Sequence, residues 1–357
     1  MKQQLIFTNK PGEALDSLVA KLAPKGVFVL TDRNVASQVI PFLSAMSSEV
    51  DKAIIIETPA GDVNKNLDCL EAIWSRLNEE GATRKSLIIN AGGGMITDMG
   101  GFAAATFKRG MRFINVPTTL LAAVDASVGG KTGINFNGCK NEIGVFAEAE
   151  AVVISTIFFN TLPLQELLSG YAEMLKHGLL ENRETFSALL GFNISSNNFN
   201  GERLLDLLRQ SVAVKERVVT EDPYEHGIRR ALNLGHTIGH AFESFAMNER
   251  KAPVPHGYAV AWGMVVELVM SNMLEHFPSE ILHAYASYVR DNYGAFYITC
   301  DDYPALLRLM AHDKKNPSPD KINFTLLADV GAIKIDCIVD KDTIAAALDI
   351  YRDLMGI

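Results

Sequence analysis

Residues 86–107 read SLIINAGGGMITDMGGFAAATF. A short aliphatic run ends in consecutive glycines and continues into small and apolar residues, which predicts a β-strand turning sharply into an α-helix. Glycines at such a junction let the backbone approach a ligand closely, and the exposed N–H groups at a helix start favour a pyrophosphate. The spacing is not GxGxxG, so the standard dinucleotide fingerprint does not apply. A tight turn with close helix packing stays open as the plain alternative.

Working outward, the β-branched and aliphatic runs at 27–30, 52–56 and 112–116 alternate with longer helical patterns. That alternation predicts βαβ units and a parallel sheet, an α/β N-terminal domain of Rossmann-like type. Each run leads into polar or glycine-bearing loops (31–32, 59–62, 91–98 and 117–119), where open α/β sheets place their ligands. Asp32 follows one strand at a place where a carboxylate accepts from ribose hydroxyls, and Lys65 sits near the same sheet edge. Beyond about residue 160 the strand runs fade, and helical periods take over at 165–180, 204–220 and 258–274. A mainly α-helical C-terminal domain is expected, with boundaries at 1–160 and 161–357. The polar stretch NISSNNFNG (193–201) is expected to be a loop.

A chain of 357 residues suits two domains. Its net charge of −9 disfavours nucleic acid and anionic membranes as partners, because both call for a basic face. Cys69, Cys139, Cys300 and Cys337 are scattered and form no CxxC pair, which argues against a disulfide framework or a zinc ribbon and fits a reducing cytosol. The N-terminal MKQQLIFTNKPGEAL has no apolar core before a cleavage site, and no uncharged apolar stretch is long enough to span a bilayer. A cytoplasmic location is therefore expected.

In GHTIGH, His236 and His240 lie four apart and share one helix face, the spacing of zincins. Thr237 stands where a metalloprotease carries its glutamate, so that chemistry lacks its general base. On spacing alone the histidines also fit ordinary surface or hydrogen-bonded core positions. His256 opens a further helix after a proline, and Glu173 lies mid-helix beside Lys176 and His177. One glutamate and two histidines with an open position make a catalytic zinc arrangement. Arg109, Lys131, Lys140, Lys176, Lys215, Arg229 and Lys314 all fall within glycine-, Asn- or His-rich signatures. Singly each is an ordinary surface charge; together they suggest an anion pocket.

These residues resemble one family, the 3-dehydroquinate synthases of the shikimate pathway, over nearly the whole chain. The resemblance rests on GGGMITDMGGFAAATFKRG (92–110), RFINVPTTLLAAVDASVGGKTGIN (112–135), CKNEIGVF (139–146), TLPLQELLSGYAEMLKHG (161–178), RRALNLGHTIGHAFE (229–243), PHGYAVAWGM (255–264) and HDKKN (312–316). It implies a dehydroquinate synthase-like fold, with Glu173, His236 and His256 binding zinc or cobalt and His240 in the pocket. It places NAD against Asp32, Asp62, Lys65, Gly93, Gly94, Asp98, Thr118, Thr119, Lys131, Lys140, Asn141, Phe158, Thr161 and Leu162. For a sugar phosphate substrate it implicates Asp125, Lys131, Asn141, Lys176, Lys215, Arg229, Asn233, His240 and Lys314. Arg109 is expected to reach a phosphate in a neighbouring subunit, which implies a homodimer.

The reaction implied converts 3-deoxy-D-arabino-heptulosonate 7-phosphate into 3-dehydroquinate and phosphate, with NAD reduced and regenerated. Two positions depart from the family pattern. Tyr258 replaces a usual glutamate, and its hydroxyl is expected to take over the orientation of a ligand histidine. Cys139 replaces a usual glycine and is expected only to fill space. A related cyclase with another product, such as a deoxyinosose or valiolone synthase, and a net dehydrogenase of the glycerol dehydrogenase type are the competing readings.

Overall fold

The computed structural model describes residues 3–137, 139–194, 199–223, 225–311 and 321–357. The chain divides into two compact units, Met1–Pro163 with Ser195–Val212 and Leu164–Ile194 with Ala213–Ile357.

The first unit runs β1 (Gln4–Phe7), α1 (Pro11–Leu22), β2 (Val27–Asp32), α2 (Arg33–Gln38), α3 (Ile40–Met46), α4 (Ser48–Asp51), β3 (Ile54–Thr58), α5 (Leu67–Glu79), β4 (Leu87–Gly92), α6 (Gly94–Thr106), β5 (Arg112–Pro117), β6 (Lys131–Phe136), β7 (Cys139–Phe146) and β8 (Ala151–Ile154). Six strands form one sheet in the order β1-β8-β5-β4-β2-β3, and every pairing is parallel. The central strands explain why: LIINAG of β4 and AVVI of β8 are buried at every position, as strands covered on both faces must be. Ile96, Met99, Phe102 and Ala103 of α6 pack into a core with Phe28, Leu30, Ile88 and Phe113.

The expected strands and the strand-to-helix turn are all present. The expected loop at 91–98 is not: Ala91 and Gly92 belong to β4 and Gly94 already opens α6, so only Gly93 lies between them. Glycines that lower helix propensity hid the start of this helix. Winding reverses between β2 and β4, because β3 lies beyond β2 while β5 lies on the other side of β4. That reversal creates the crevice at the carboxyl ends of β2 and β4 where such sheets bind ligands. An antiparallel hairpin, β6 with β7, was not anticipated from the sequence.

The second unit contains α7 (Leu164–Glu181), α8 (Arg183–Leu190), α10 (His236–Asn248), α11 (His256–Glu275), α12 (Ser279–Tyr293), α13 (Tyr303–Ala311), β9 (Ile322–Asp329), β10 (Ala332–Val339) and α14 (Lys341–Met355). Helix α9 (Gly201–Glu221) is shared between the two units. The unit is mainly helical as expected, with one unanticipated antiparallel hairpin, β9 with β10. Helix α11 is long and apolar enough, by length and composition, to cross a membrane. It contains Glu267, and 78% of its apolar window is buried inside the structure, which is the setting of a core helix.

Candidate active site

Glu173 lies in a stretch of α7 that is buried on all sides from Leu167 to Leu180. A carboxylate there requires a partner, and Lys176, one turn along and equally buried, supplies it by contacting Oε2. The other oxygen, Oε1, faces two imidazoles, His236 Nε2 at 3.5 Å and His256 Nε2 at 3.7 Å. Each histidine is the first residue of its helix, α10 or α11. Their outer nitrogens are also engaged: His236 Nδ1 lies 3.1 Å from the Leu234 carbonyl oxygen, and His256 Nδ1 lies 3.4 Å from Glu243 Oε2. Such partners fix ring orientation and aim both Nε2 atoms inward.

Donor atoms of Glu173, His236 and His256 all lie within 4.8 Å of one another. A four-coordinate ion with bonds of about 2.0–2.1 Å sets its ligand atoms roughly 3.3 Å apart, and the separations of 3.5 and 3.7 Å from Oε1 are near that spacing. One carboxylate with two imidazoles is a zinc-type donor set. Electrostatics point the same way. Burial alone would raise the Glu173 carboxyl, but Lys176 and the two histidines outweigh it and hold it well below the usual carboxylate range. Burial and Lys176 keep His236 well below the ordinary imidazole value, against the pull of Glu173. Burial would also lower His256, yet bonds to Glu173 and Glu243 prevail and push it up to about 9.

His240 follows one turn after His236. Its ring centroid is 5.4 Å from that of His236 and 5.9 Å from that of His256, beside the converging donors, and the residue is exposed. Two buried cations belong to the same unit, Lys215 on α9 and Arg229 in the turn Ile228–Asn233 that precedes α10. Arg229 Nη1 donates to the Pro223 carbonyl at 2.6 Å, and its backbone N–H donates to Asp222. Asn233 Nδ2 donates to Glu225 Oε1 at 3.2 Å. Lys314 lies outside the described residues.

In the first unit, residues expected to meet a nucleotide gather around the carboxyl end of the sheet. Asp32 ends β2 and caps α2, its Oδ1 accepting from the N–H groups of Asn34 and Val35. Gly93 and Gly94 start α6 with no side-chain cap; a Cβ on Gly93 would come 3.2 Å from Thr119 Cγ2, so the glycine lets Thr119 sit close against the backbone at the helix start. Thr118 N–H donates to the Gly92 carbonyl, tying the ends of β5 and β4. The hydroxyls of Thr31, Thr118 and Ser155, at the ends of β2, β5 and β8, are buried and find no hydrogen-bond partner among the described residues. Buried hydroxyls left unpaired at strand ends make a cradle suited to a polar ligand.

Lys65, also buried, brings three expected residues together by bonding Asp98 Oδ2 at 2.5 Å and Asn141 Oδ1. Asp62 accepts from Asn135 Nδ2, and Asn141 N–H donates to Asn135 Oδ1. Lys131 and Lys140 are exposed on the hairpin, Asp125 sits in the π turn Ala122–Ala126, and Phe158, Thr161 and Leu162 form a 3-10 turn and its end. Arg109 is exposed with a left-handed φ of 66° and, among the described residues, pairs with none of the others.

The structure corrects two expectations. Tyr258 packs its ring against Tyr293 and Trp262, and among the described residues its hydroxyl takes no hydrogen bond; Glu243 orients His256 instead. Cys139 is exposed on β7 and fills no cavity. Glu243, Glu267, Ser169 and Asn135 escaped the sequence reading. Glu243 had a signal, since it lies seven residues after His236 on one helix face, and Glu267 is a lone carboxylate in an apolar run.

The same fold recurs in three solved structures. A 2-epi-5-epi-valiolone synthase from Streptomyces hygroscopicus, with NAD+ and Zn2+ bound, matches with TM-score 0.84 and 24% identity, covering 99% of this chain and 97% of that one. A 2-deoxy-scyllo-inosose synthase complexed with carbaglucose-6-phosphate, NAD+ and Co2+ matches with TM-score 0.83 and 24% identity, covering 96% and 95%. Glycerol dehydrogenase from Schizosaccharomyces pombe is more distant, with TM-score 0.64 and 14% identity over 99% and 90%. By fold this is an α/β and helical chain of the dehydroquinate synthase-like class.

Sequence comparison is more specific. The family described as 3-dehydroquinate synthase N-terminal matches residues 55–169, and 3-dehydroquinate synthase C-terminal matches 170–316. The 3-dehydroquinate synthase of Parabacteroides distasonis is 48% identical over 356 residues, covering 100% of this chain and 99% of that protein. That of Pyrococcus furiosus is 40% identical over 339 residues, covering 94% and 95%. The chain belongs to the 3-dehydroquinate synthase family.

Proposed function

We propose that the chain is a carbon–oxygen lyase that converts 3-deoxy-D-arabino-heptulosonate 7-phosphate into 3-dehydroquinate and phosphate, using NAD and one divalent ion, Zn2+ or Co2+. The observation that carries this reading is the convergence of Glu173, His236 and His256 beside buried Lys176, in a chain nearly half identical to named synthases of this activity. The 48% identity to the Parabacteroides distasonis synthase is twice the 24% to the inosose and valiolone synthases, which favours this product over theirs.

Glu173, His236 and His256 would hold the ion, which supplies Lewis acidity to the substrate hydroxyls when bound. The bare start of α6, Asp32 and the hydroxyls of Thr118 and Thr119 would hold NAD, which supplies a reversible hydride acceptor. The protein's own groups meet the remaining demands. Lys215 and Arg229 supply buried positive charge for the phosphate as it leaves, and the Arg229 guanidinium is already fixed by Pro223, so little reorganisation is needed. The leaving phosphate takes the adjacent C–H proton, so no strong base is required of the chain. His240, exposed beside the donor group, holds and relays a proton of a substrate hydroxyl on its imidazole. Asn233, the last residue of the turn that precedes α10, orients the sugar. Ring closure needs confinement of enol and ketone more than further acid or base.

Purified protein given zinc and catalytic NAD is expected to release phosphate from the heptulosonate without accumulating NADH. Stoichiometric NADH from a polyol would instead establish a dehydrogenase.

A homodimer is part of the proposal. Strand β7 is exposed along its whole length and presents Ile143, Val145 and Phe146 to solvent, the kind of open apolar edge that pairs with another chain. Exposed Arg109 suits a contact made in a neighbouring subunit. Light scattering that finds a monomer at micromolar concentration would overturn it. The four free cysteines fit a cytoplasmic location, which cell fractionation tests.

A further inference from the structure

Helices α10 and α11 each begin with a histidine of the metal group, and neither has a side-chain cap of its own. This is a weak place for a ligand, because the first N–H groups of a helix have no partner within it and terminal turns fray. Position 235, before α10, is a glycine with φ 81°, which cannot cap with a side chain. Fully buried Glu267 takes its place: Oε2 accepts from Gly235 N–H at 2.5 Å and Oε1 accepts from Ile238 N–H at 3.3 Å. These are the N-cap and third-residue amides that a capping box satisfies with two local side chains. Here one carboxylate from another helix satisfies both, with the positive end of the α10 dipole facing it.

Close backbone approach makes the reach possible. A Cβ on Gly263 of α11 would lie 2.1 Å from the Gly235 carbonyl oxygen. His256, Gly263 and Glu267 are spaced by seven and four residues, on one face of α11. The start of α11 is held in the same manner, since Gly257 N–H donates to Ser169 Oγ at 3.1 Å, and Ser169 lies one turn before Glu173 on α7. Two of the three helices that carry a donor residue thus cap another: α7 caps α11, and α11 caps α10.

We propose that Glu267 is a positioning residue for the metal centre, fixing His236 by capping the turn that bears it. The inference rests on Glu173, His236 and His256 being the ion's ligands. In the unaltered, metal-free protein, hydrogen exchange of the Gly235 and Ile238 amides is expected to be slow. Exchange there at the rate of an open turn overturns the cap.

In full-length protein loaded with zinc, Glu267→Ala is expected to speed zinc loss to a chromogenic chelator about 10- to 100-fold, the range for residues behind a ligand. Glu267→Gln keeps one acceptor oxygen but turns an NH2 toward the second amide, so it is expected to speed zinc loss by a smaller factor than alanine, and it carries the test if the alanine variant does not fold. Ser271→Ala, which removes a core hydroxyl one turn away that bonds the Glu267 carbonyl and accepts from Leu327 N–H, is the control for general loosening. It is expected to lower the melting temperature while leaving zinc loss unchanged. Folded Glu267 variants that lose zinc at the parent rate, or equal acceleration by Ser271→Ala, overturn the proposal. His236→Ala separates the two ideas: if it retains zinc like the parent, the ligand assignment itself fails.

Discussion

The metal centre of the second unit and the nucleotide cradle of the first are built in opposite ways. The metal centre is made of side chains, on helices whose first turns are capped by other helices. The nucleotide cradle is made largely of backbone and short hydroxyls at strand ends, with Lys65 already paired to Asp98 and hydrogen-bonded to Asn141. A small divalent ion needs donors fixed to a few tenths of an ångström, whereas a long cofactor spreads its binding over many weak contacts. Substitutions should therefore act steeply in the metal centre and gently in the cradle.

The steepest change is expected from Glu173→Ala. It removes a ligand and strands the buried Lys176 ammonium, so it should abolish zinc binding and cost about 3–5 kcal/mol of metal-free stability, read by urea titration. A loss under 1 kcal/mol would mean that water reaches Lys176. Next, His236→Ala should abolish both bound zinc and turnover, while His240→Ala should keep zinc and lose turnover. Equal zinc loss in both would contradict the division of roles. Glu243→Gln should weaken zinc about tenfold in a competition assay, since His256 loses its carboxylate partner.

A pH series resolves the same half further. Zinc must displace the proton on His256, held to about 9, so affinity should climb roughly tenfold per unit between pH 7 and 8 and level off above 9. In the metal-free protein the sign is the reverse. The raised value means that charged His256 contributes stability fully below about pH 6.5, and this contribution is lost as pH rises through 9. A flat affinity profile would show that His256 is neutral before zinc arrives. The smallest effect is expected in the cradle: Lys65→Met should raise the NAD requirement several-fold at unchanged zinc content, because backbone contacts remain.

Sequence reading reached different depths in the two halves. The buried parallel strands were legible because their aliphatic runs have no other use, and α7, α9 and α11 were legible from their period. Strand β7 was not, since CKNEIGVF is exposed throughout and carries no buried alternation. Hairpin β9–β10 had a readable signal in AIKIDCIV, where half-buried and exposed residues alternate, but it stands among helices. Spacing alone offered His236 with His240, and the resemblance is what put His256 in the place of His240. Glu267 and Ser169 lie 32 and 88 positions from the amides they cap, a separation that no local pattern encodes.

Helix α11 also bears on how the chain is made. It packs against α7, α10, α12, β9 and α14, so part of its cover is encoded after it. A chain emerging from the ribosome exposes this apolar rod before β9 and α14 exist, and during that interval it is a segment for chaperones or for aggregation. Truncation before β9 should therefore give an insoluble product, even though every residue of the metal group has already been synthesised.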